Sequence, residues 1–247
     1  MKPNNNWLLP DDIDELLPPE AGRVESIKRK LLDLYDLWGY EFVNPPVIEY
    51  LDSLLTGTGS DLDTQTFKLT DQVSGRMMGI RADTTPQVAR IDAHKLKRET
   101  PTRLCYMGTV LRTRADSLDS SRNPFQVGAE LFGHDGIASD VEILQLMLET
   151  IRTAGVESQH LDLGHVGIYR GLVDQAGLTH EQEMALFDAL QRKAATDLSD
   201  LIEEFRLEPA MAAMFESLAS LNGDETVIAT ARETLASASE EVHLAID

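Results

Sequence analysis

LRTRADSLDSSRNPFQVGAELFG, running from Leu111 to Gly133, decides how this chain is read. Val110 and Leu111 on one side and Val127 to Phe132 on the other have strand-like composition, and the Asp, Ser, Asn and Pro between them are loop formers. The stretch reads as a strand, a polar loop and a returning strand. Arg112, Arg114, Gln126 and Glu130 interrupt those strands where a half-buried sheet would carry apolar side chains. A charge on a sheet face costs free energy unless it is paired or faces a ligand. Upstream, GIRADTTPQVAR from Gly79 to Arg90 adds Asp83 and Thr85. Gln126 and Glu130 are four apart and so project from one face of a strand; parity does not register Arg112 against them. The set would suit a small zwitterion with an ammonium and a carboxylate. A structural ion-pair network on a sheet surface fits the same residues, and the residues alone leave both readings open.

Working outward, the rest of the chain alternates helical and extended patterns. RVESIKRKLLDLYDLWG places Val24, Ile27, Leu31, Leu34 and Leu37 on one helix face, with Gly39 just past its end. YEFVNPPVIEY predicts an extended strand broken by Pro45 and Pro46, because proline donates no ladder bond. Leu51 to Leu55 predicts a short helix before the glycine-rich TGTGSD, read as a mobile connection. Phe67 to Thr70 and Arg76 to Arg81 predict paired strands around DQVSG. TPQVARIDAHKL predicts a helix opened by Thr84 and Thr85, with Pro86 in its first turn. RLCYMGTVL and HLDLGHVGI read as strands, and SDVEILQLMLETIRTAG as an amphipathic helix ended by Gly155. From about Tyr169 to Asp247 the chain is rich in Ala, Leu, Glu and Asp and reads as a helical subdomain or insertion. Met1 to Pro19 is polar, proline-rich and read as an extended arm.

Composition excludes several functions. The 247 residues, 42% apolar, support a real core. No apolar run approaches a membrane span and Met1 to Pro10 carries no signal pattern, so a cytoplasmic protein without membrane contact is expected. With 42 acidic against 22 basic residues and a net charge of −20, a large nucleic-acid surface is disfavoured. Cys105 is the single cysteine, which rules out an internal disulfide, and its strand setting predicts a buried, inert thiol. His94, His134, His160, His165, His180 and His243 lack metal-ligand spacing. No phosphate loop, GxGxxG or GxSxG is present, so no metal, cofactor or covalent nucleophile is assigned.

At its site residues the sequence resembles the class II aminoacyl-tRNA synthetase core, in its histidyl-tRNA synthetase branch, from about Pro18 to Ile168. Glu20 to Tyr50 with Pro45-Pro46 looks like motif 1, which forms the homodimer interface in that family. RADTTPQVAR looks like the segment supplying a carboxylate to the amino group of the bound amino acid, and LRTRADSLDSSRNPFQVGAELFG looks like motif 2. The resemblance implies an α+β fold, an antiparallel sheet flanked by helices, with residues 1–168 forming an incomplete core and 169–247 a helical extension. It implies that Asp83 contacts the ligand's amino group, with Thr85 beside it. Arg112 would meet the phosphate and carboxylate region, Gln126 and Glu130 would bind the ammonium and side chain, and Phe125 would lie near the adenine.

The departures from the synthetase pattern bear on function. Arg114 stands where synthetases carry a glutamate that recognises adenine, and an arginine only donates where a carboxylate only accepts. RAD replaces the commoner RPE. No motif 3, histidine-specific arginine motif or anticodon-binding domain is recognised. RADTTPQVAR and AELFG are instead similar to the non-catalytic paralogue family, the regulatory subunits of short-form ATP phosphoribosyltransferase. That resemblance implies a histidine-responsive subunit of the first step of histidine biosynthesis, without catalytic residues or cofactor, whose homodimers join catalytic subunits in a hetero-octamer. Members of that family are normally longer, so a truncated chain is expected. A divergent or fragmentary histidyl-tRNA synthetase and a structural dimerisation module with a vestigial pocket are the alternatives.

Overall fold

The computed structural model describes residues 7–57, 60–115, 117 and 120–247. It divides into two compact units, Met1–Gln159 and His160–Asp247. Thr58 and Gly59 of TGTGSD lie outside the described residues.

The first unit opens with α1 (Glu20–Leu37), where Leu31 of the expected apolar face is buried, Leu37 is exposed, and Tyr35, outside the expected set, is buried. Gly39 follows at φ +79°, a left-handed turn that glycine adopts without steric penalty. β1 (Glu41–Phe42) and β2 (Ile48–Tyr50) flank Pro45-Pro46 as the proline break predicts. Then come α2 (Leu51–Leu54), α3 (Ser60–Gln65), β3 (Phe67–Thr70), β4 (Met77–Ile80) and α4 (Thr85–Ile91), the last continuing as a π-helical turn over Asp92–Leu96. β5 (Thr102–Thr109), β6 (Phe125–Phe132) and α5 (Ile137–Thr153) complete the unit. The strands form two three-stranded sheets, β1-β5-β6 and β2-β4-β3. All pairings are antiparallel except β1 with β5. This is the α+β arrangement expected of the family resemblance.

The β5/β6 register sorts the side chains by face. Cys105, Met107, Val127 and Ala129 pack with Leu31, Tyr35, Tyr40 and Leu146 from the α1 and α5 side. Leu104, Tyr106 and Phe132 turn the other way and meet Val88 of α4. The alternation is the period-2 rule of a strand, and it places α4 across the face that carries Gln126 and Glu130. α4 is also tied to the proline segment, since Gln87 Nε2 donates to Pro46 O at 2.8 Å and Arg90 pairs with Glu49. On the opposite face a bidentate pair, Arg103 Nε and Nη2 to Glu142 at 2.6 and 2.7 Å, fixes α5 to β5. Cys105 is buried, and burial pushes its thiol up to about 11, so the thiolate nucleophile is disfavoured.

The second unit is helical: α6 (Val166–Ala176), α7 (His180–Gln191), α8 (Ala195–Glu204), α9 (Pro209–Leu218), α10 (Val227–Thr234) and α11 (Glu240–Ile246). They close around Leu172, Leu186, Phe215, Leu235 and Val242. Tyr169 packs tilted against Phe187 and edge-on against Phe215, with ring centroids 5.4 and 6.2 Å away. A capping box of Thr179 and Gln182 starts α7. One expectation fails: HLDLGHVGI is no strand. Residues 160–165 are irregular, Leu161 and Leu163 are exposed, and His165 Nδ1 accepts from Gly167 N at 3.1 Å to cap α6. Among the described residues no strand pairs with the segment, so its backbone has no ladder to join. The compositional change at Ile168/Tyr169 falls inside α6.

Phe215→Ala removes a fully buried ring from the helical core and is expected to destabilise the second unit by about 3–5 kcal/mol, read as a shifted urea midpoint.

Candidate functional site

β4 ends at Ile80, and Arg81 to Thr84 carry the chain into α4 directly above β5 and β6. Asp83 Oδ1 accepts from Thr85 N at 2.9 Å, a local turn that aspartate favours at a helix entry. The same oxygen accepts from Gln126 Nε2 at 2.8 Å, while Gln126 Oε1 accepts from Thr84 N at 3.0 Å. One carboxamide thus binds both a carboxylate and a main-chain amide. The hydroxyls of Thr85 and Tyr106 are 3.0 Å apart, and Tyr106 OH donates to Glu130 Oε1 at 3.3 Å. Asp83, Thr85, Gln126 and Glu130 are therefore brought together, as one polar floor beneath the start of α4.

Two residues that the sequence reading overlooked make the floor possible. Tyr106 pairs in register with Gly128, and a Cβ at position 128 would lie 2.3 Å from the Tyr106 hydroxyl and Cζ. Glycine there lets the phenol lie flat between Gln126 and Glu130. The same device recurs at Gly108, opposite Gln126, where the Arg81 guanidinium occupies the space a side chain would fill. Arg81 is buried and donates to Thr109 O (3.2 Å) and Pro45 O (2.9 Å), joining the ends of the site to the proline segment. Burial lowers its pKa below the usual arginine value. Glycines within strands signal a close approach, and that signal at Gly108 and Gly128 was available in the sequence.

Other expected site residues are placed differently. The β5 strand ends at Thr109, so Arg112 lies beyond it. Its amide donates to Arg122 O at 2.7 Å, it forms an isolated bridge with Thr66, and its Nε reaches Ala82 O at 3.5 Å. That keeps Arg112 at the edge of the floor, near the Asp83 turn. Arg114 is exposed. Phe125, expected near the adenine from the resemblance, is one residue from Gln126 in a strand, so it faces α1, with Lys28 Nζ 5.0 Å from its ring centroid. It cannot share the floor.

Burial raises the Glu130 carboxyl above the ordinary carboxylate value; hydroxyls of Thr85 and Tyr106 oppose the shift and the Asp83 charge adds to it. The folded state therefore holds this proton more tightly than the unfolded chain does. Its contribution to stability is greatest below the unfolded-state value and is lost as pH rises through the folded-state value. Glu130→Gln keeps an acceptor for Tyr106 and should flatten that fall, checked by urea unfolding between about pH 4 and pH 8. Gly128→Ala should displace Tyr106 and destabilise by about 1–3 kcal/mol, with loss of the Tyr106 hydroxyl contacts seen by NMR.

Comparison with known proteins identifies the family. A family model described as histidyl-tRNA synthetase matches residues 12–247. An ATP phosphoribosyltransferase regulatory subunit of Alkalilimnicola ehrlichii is 58% identical over 243 residues, covering 98% of this chain and 61% of the relative. That of Thioalkalivibrio sulfidiphilus is 59% identical over 247 residues, covering 100% and 62%. The chain thus spans about three fifths of the length of these curated relatives. A solved structure described as an ATP phosphoribosyltransferase regulatory subunit/histidyl-tRNA synthetase from Bacillus halodurans superposes with a TM-score of 0.86 at 26% identity, covering 100% of this chain and 63% of that one. Histidyl-tRNA synthetase from Nostoc shares the fold, with a TM-score of 0.73 at 15% identity over 98% of this chain and 55% of that one. The chain belongs to the histidyl-tRNA synthetase family.

Proposed function

We propose that this chain is the non-catalytic regulatory subunit of a short-form ATP phosphoribosyltransferase, serving the first step of histidine biosynthesis and its feedback inhibition by histidine. The observation that carries this reading is the floor of Asp83, Gln126 and Glu130 beneath α4, with Arg112 at its edge. An amino-acid ammonium would meet Asp83, the carboxylate would meet Arg112, and an imidazole N–H would meet Glu130. The name carried by relatives at 58% and 59% identity supports the regulatory assignment. Arg114, exposed and cationic where synthetases carry a glutamate, supports loss of adenine recognition.

Feedback needs histidine only to bind one assembly state better than the other, with a coupling of about 1–3 kcal/mol. The partner in this reading is the catalytic subunit, joined by homodimers of this chain in a hetero-octamer in the cytoplasm. No described helix is long and apolar enough to cross a membrane. The second reading, an ATP-dependent histidyl-tRNA synthetase, is favoured by the family model and by the shared fold.

Isothermal titration separates the readings. Histidine is expected to bind, and to bind more tightly as pH rises through the raised Glu130 value, because its imidazole N–H favours the ionised carboxylate. Glu130→Gln should weaken binding by about tenfold or more, the loss of one charge-assisted contact, with the fold intact. ATP binding accompanied by ATP–pyrophosphate exchange would instead support the synthetase.

A further inference from the structure

Among the described residues, the segment preceding α1 is fastened to the rest of the first unit by hydrogen bonds at Asp11 to Asp14. Its large apolar side chains Trp7, Leu8, Leu9, Leu16 and Leu17 are exposed. Its backbone runs beside Ser121 to Asn123. Arg122 N donates to Asp12 O at 2.7 Å, and Arg122 Nη1 donates to Asp11 O at 3.1 Å. Asn123 makes a two-way contact: its Oδ1 accepts from Asp14 N and its Nδ2 donates to Asp14 O, both at 2.9 Å. Ser121 Oγ donates to Asp12 O at 3.3 Å.

The other edge of the same residues holds Arg112. Arg112 N donates to Arg122 O at 2.7 Å, and Arg122 Nε donates back to Arg112 O at 3.1 Å. Beyond Arg112, Thr113 N donates to Gln65 O at 2.9 Å and Thr113 Oγ1 to Thr64 O at 2.7 Å. The arm, residues 121–123, residues 111–113 and residues 64–66 thus lie side by side as a short ladder past the ends of β5 and β6. The arm is its outer rail. Without it, the main chain at 122 and the Asn123 amide would present an open edge.

We infer that Arg122 and Asn123 are positioning residues, through which the arm at Asp11 to Asp14 sets where Arg112 stands at the rim of the polar floor. This rests on the reading of Arg112 as a ligand residue. A rail secured by a few partly exposed hydrogen bonds is among the elements that open at low free energy. Linkage then makes the effect reciprocal: a ligand that fixes Arg112 steadies the arm, and a secured arm tightens the ligand.

The test uses the full chain with Asn123→Ala, and Asp14→Ala as control, since Asp14 contributes only main-chain atoms to these contacts. Amide exchange is followed at Asp14, Arg122 and Arg112, and histidine affinity is measured alongside the urea midpoint. Asn123→Ala should speed exchange at all three amides and weaken histidine roughly fivefold or more with the midpoint little changed, while Asp14→Ala behaves as the unsubstituted chain. In the unsubstituted chain, histidine should slow exchange at Asp14 and Arg122. Faster exchange confined to Asp14, or histidine binding that leaves the arm amides unchanged, would overturn the coupling. Faster exchange at Arg112 in a chain that binds no histidine would uphold the coupling and refute the ligand reading instead. A midpoint that falls in step with affinity would reduce the two residues to a structural role.

Discussion

The carboxamide of Gln126 is the contact on which the site depends. It binds Asp83 through its nitrogen and the Thr84 amide through its oxygen, so the start of α4 cannot shift on β6 without breaking both bonds. α4 is also packed on the same face through Val88 against Leu104 and Tyr106. Tyr106 completes the arrangement from the neighbouring strand, reaching Thr85 and Glu130 across a glycine. The floor is preorganised in this sense: its acceptors are held by the fold before any ligand arrives.

The floor also has an electrostatic character that a purely structural network would lack. Two carboxylates, Asp83 and Glu130, share a small region with one buried cation, Arg81, whose bonds go to main-chain carbonyls. Burial raises the Glu130 carboxyl, and a cationic or N–H group placed against it would favour its ionised form. A network built only for stability would be expected to pair each charge, as Arg103 and Glu142 do on the opposite face. Sensing an amino acid is compatible with leaving such charge uncompensated.

Much of this was legible in the sequence because it follows from period. The α1 face, the β3/β4 pair, the proline break before β2 and the common face of Gln126 and Glu130 each come from spacing alone. What period does not carry was missed or misplaced. Tyr106 reads as an ordinary strand aromatic, and only the register against Gly128 turns its hydroxyl to use. Phe125 was expected near the adenine from family likeness, and its parity sets it on the face opposite Gln126. The alternation in HLDLGHVGI is that of a strand, but a strand also needs a neighbour. The arm contributes only main-chain atoms to its attachment, which leave no trace in its own residue identities, although Ser121, Arg122 and Asn123 reach it with side chains.

The central claim is that the family's amino-acid floor survives here for sensing. It is tested most directly by mixing this chain with a short-form ATP phosphoribosyltransferase catalytic subunit and following assembly and activity as histidine is added. The account predicts a complex whose activity histidine inhibits, with inhibition weakened when Glu130 is replaced by Gln and assembly preserved. A complex inhibited equally well with Gln at 130, or the absence of any complex, would contradict it.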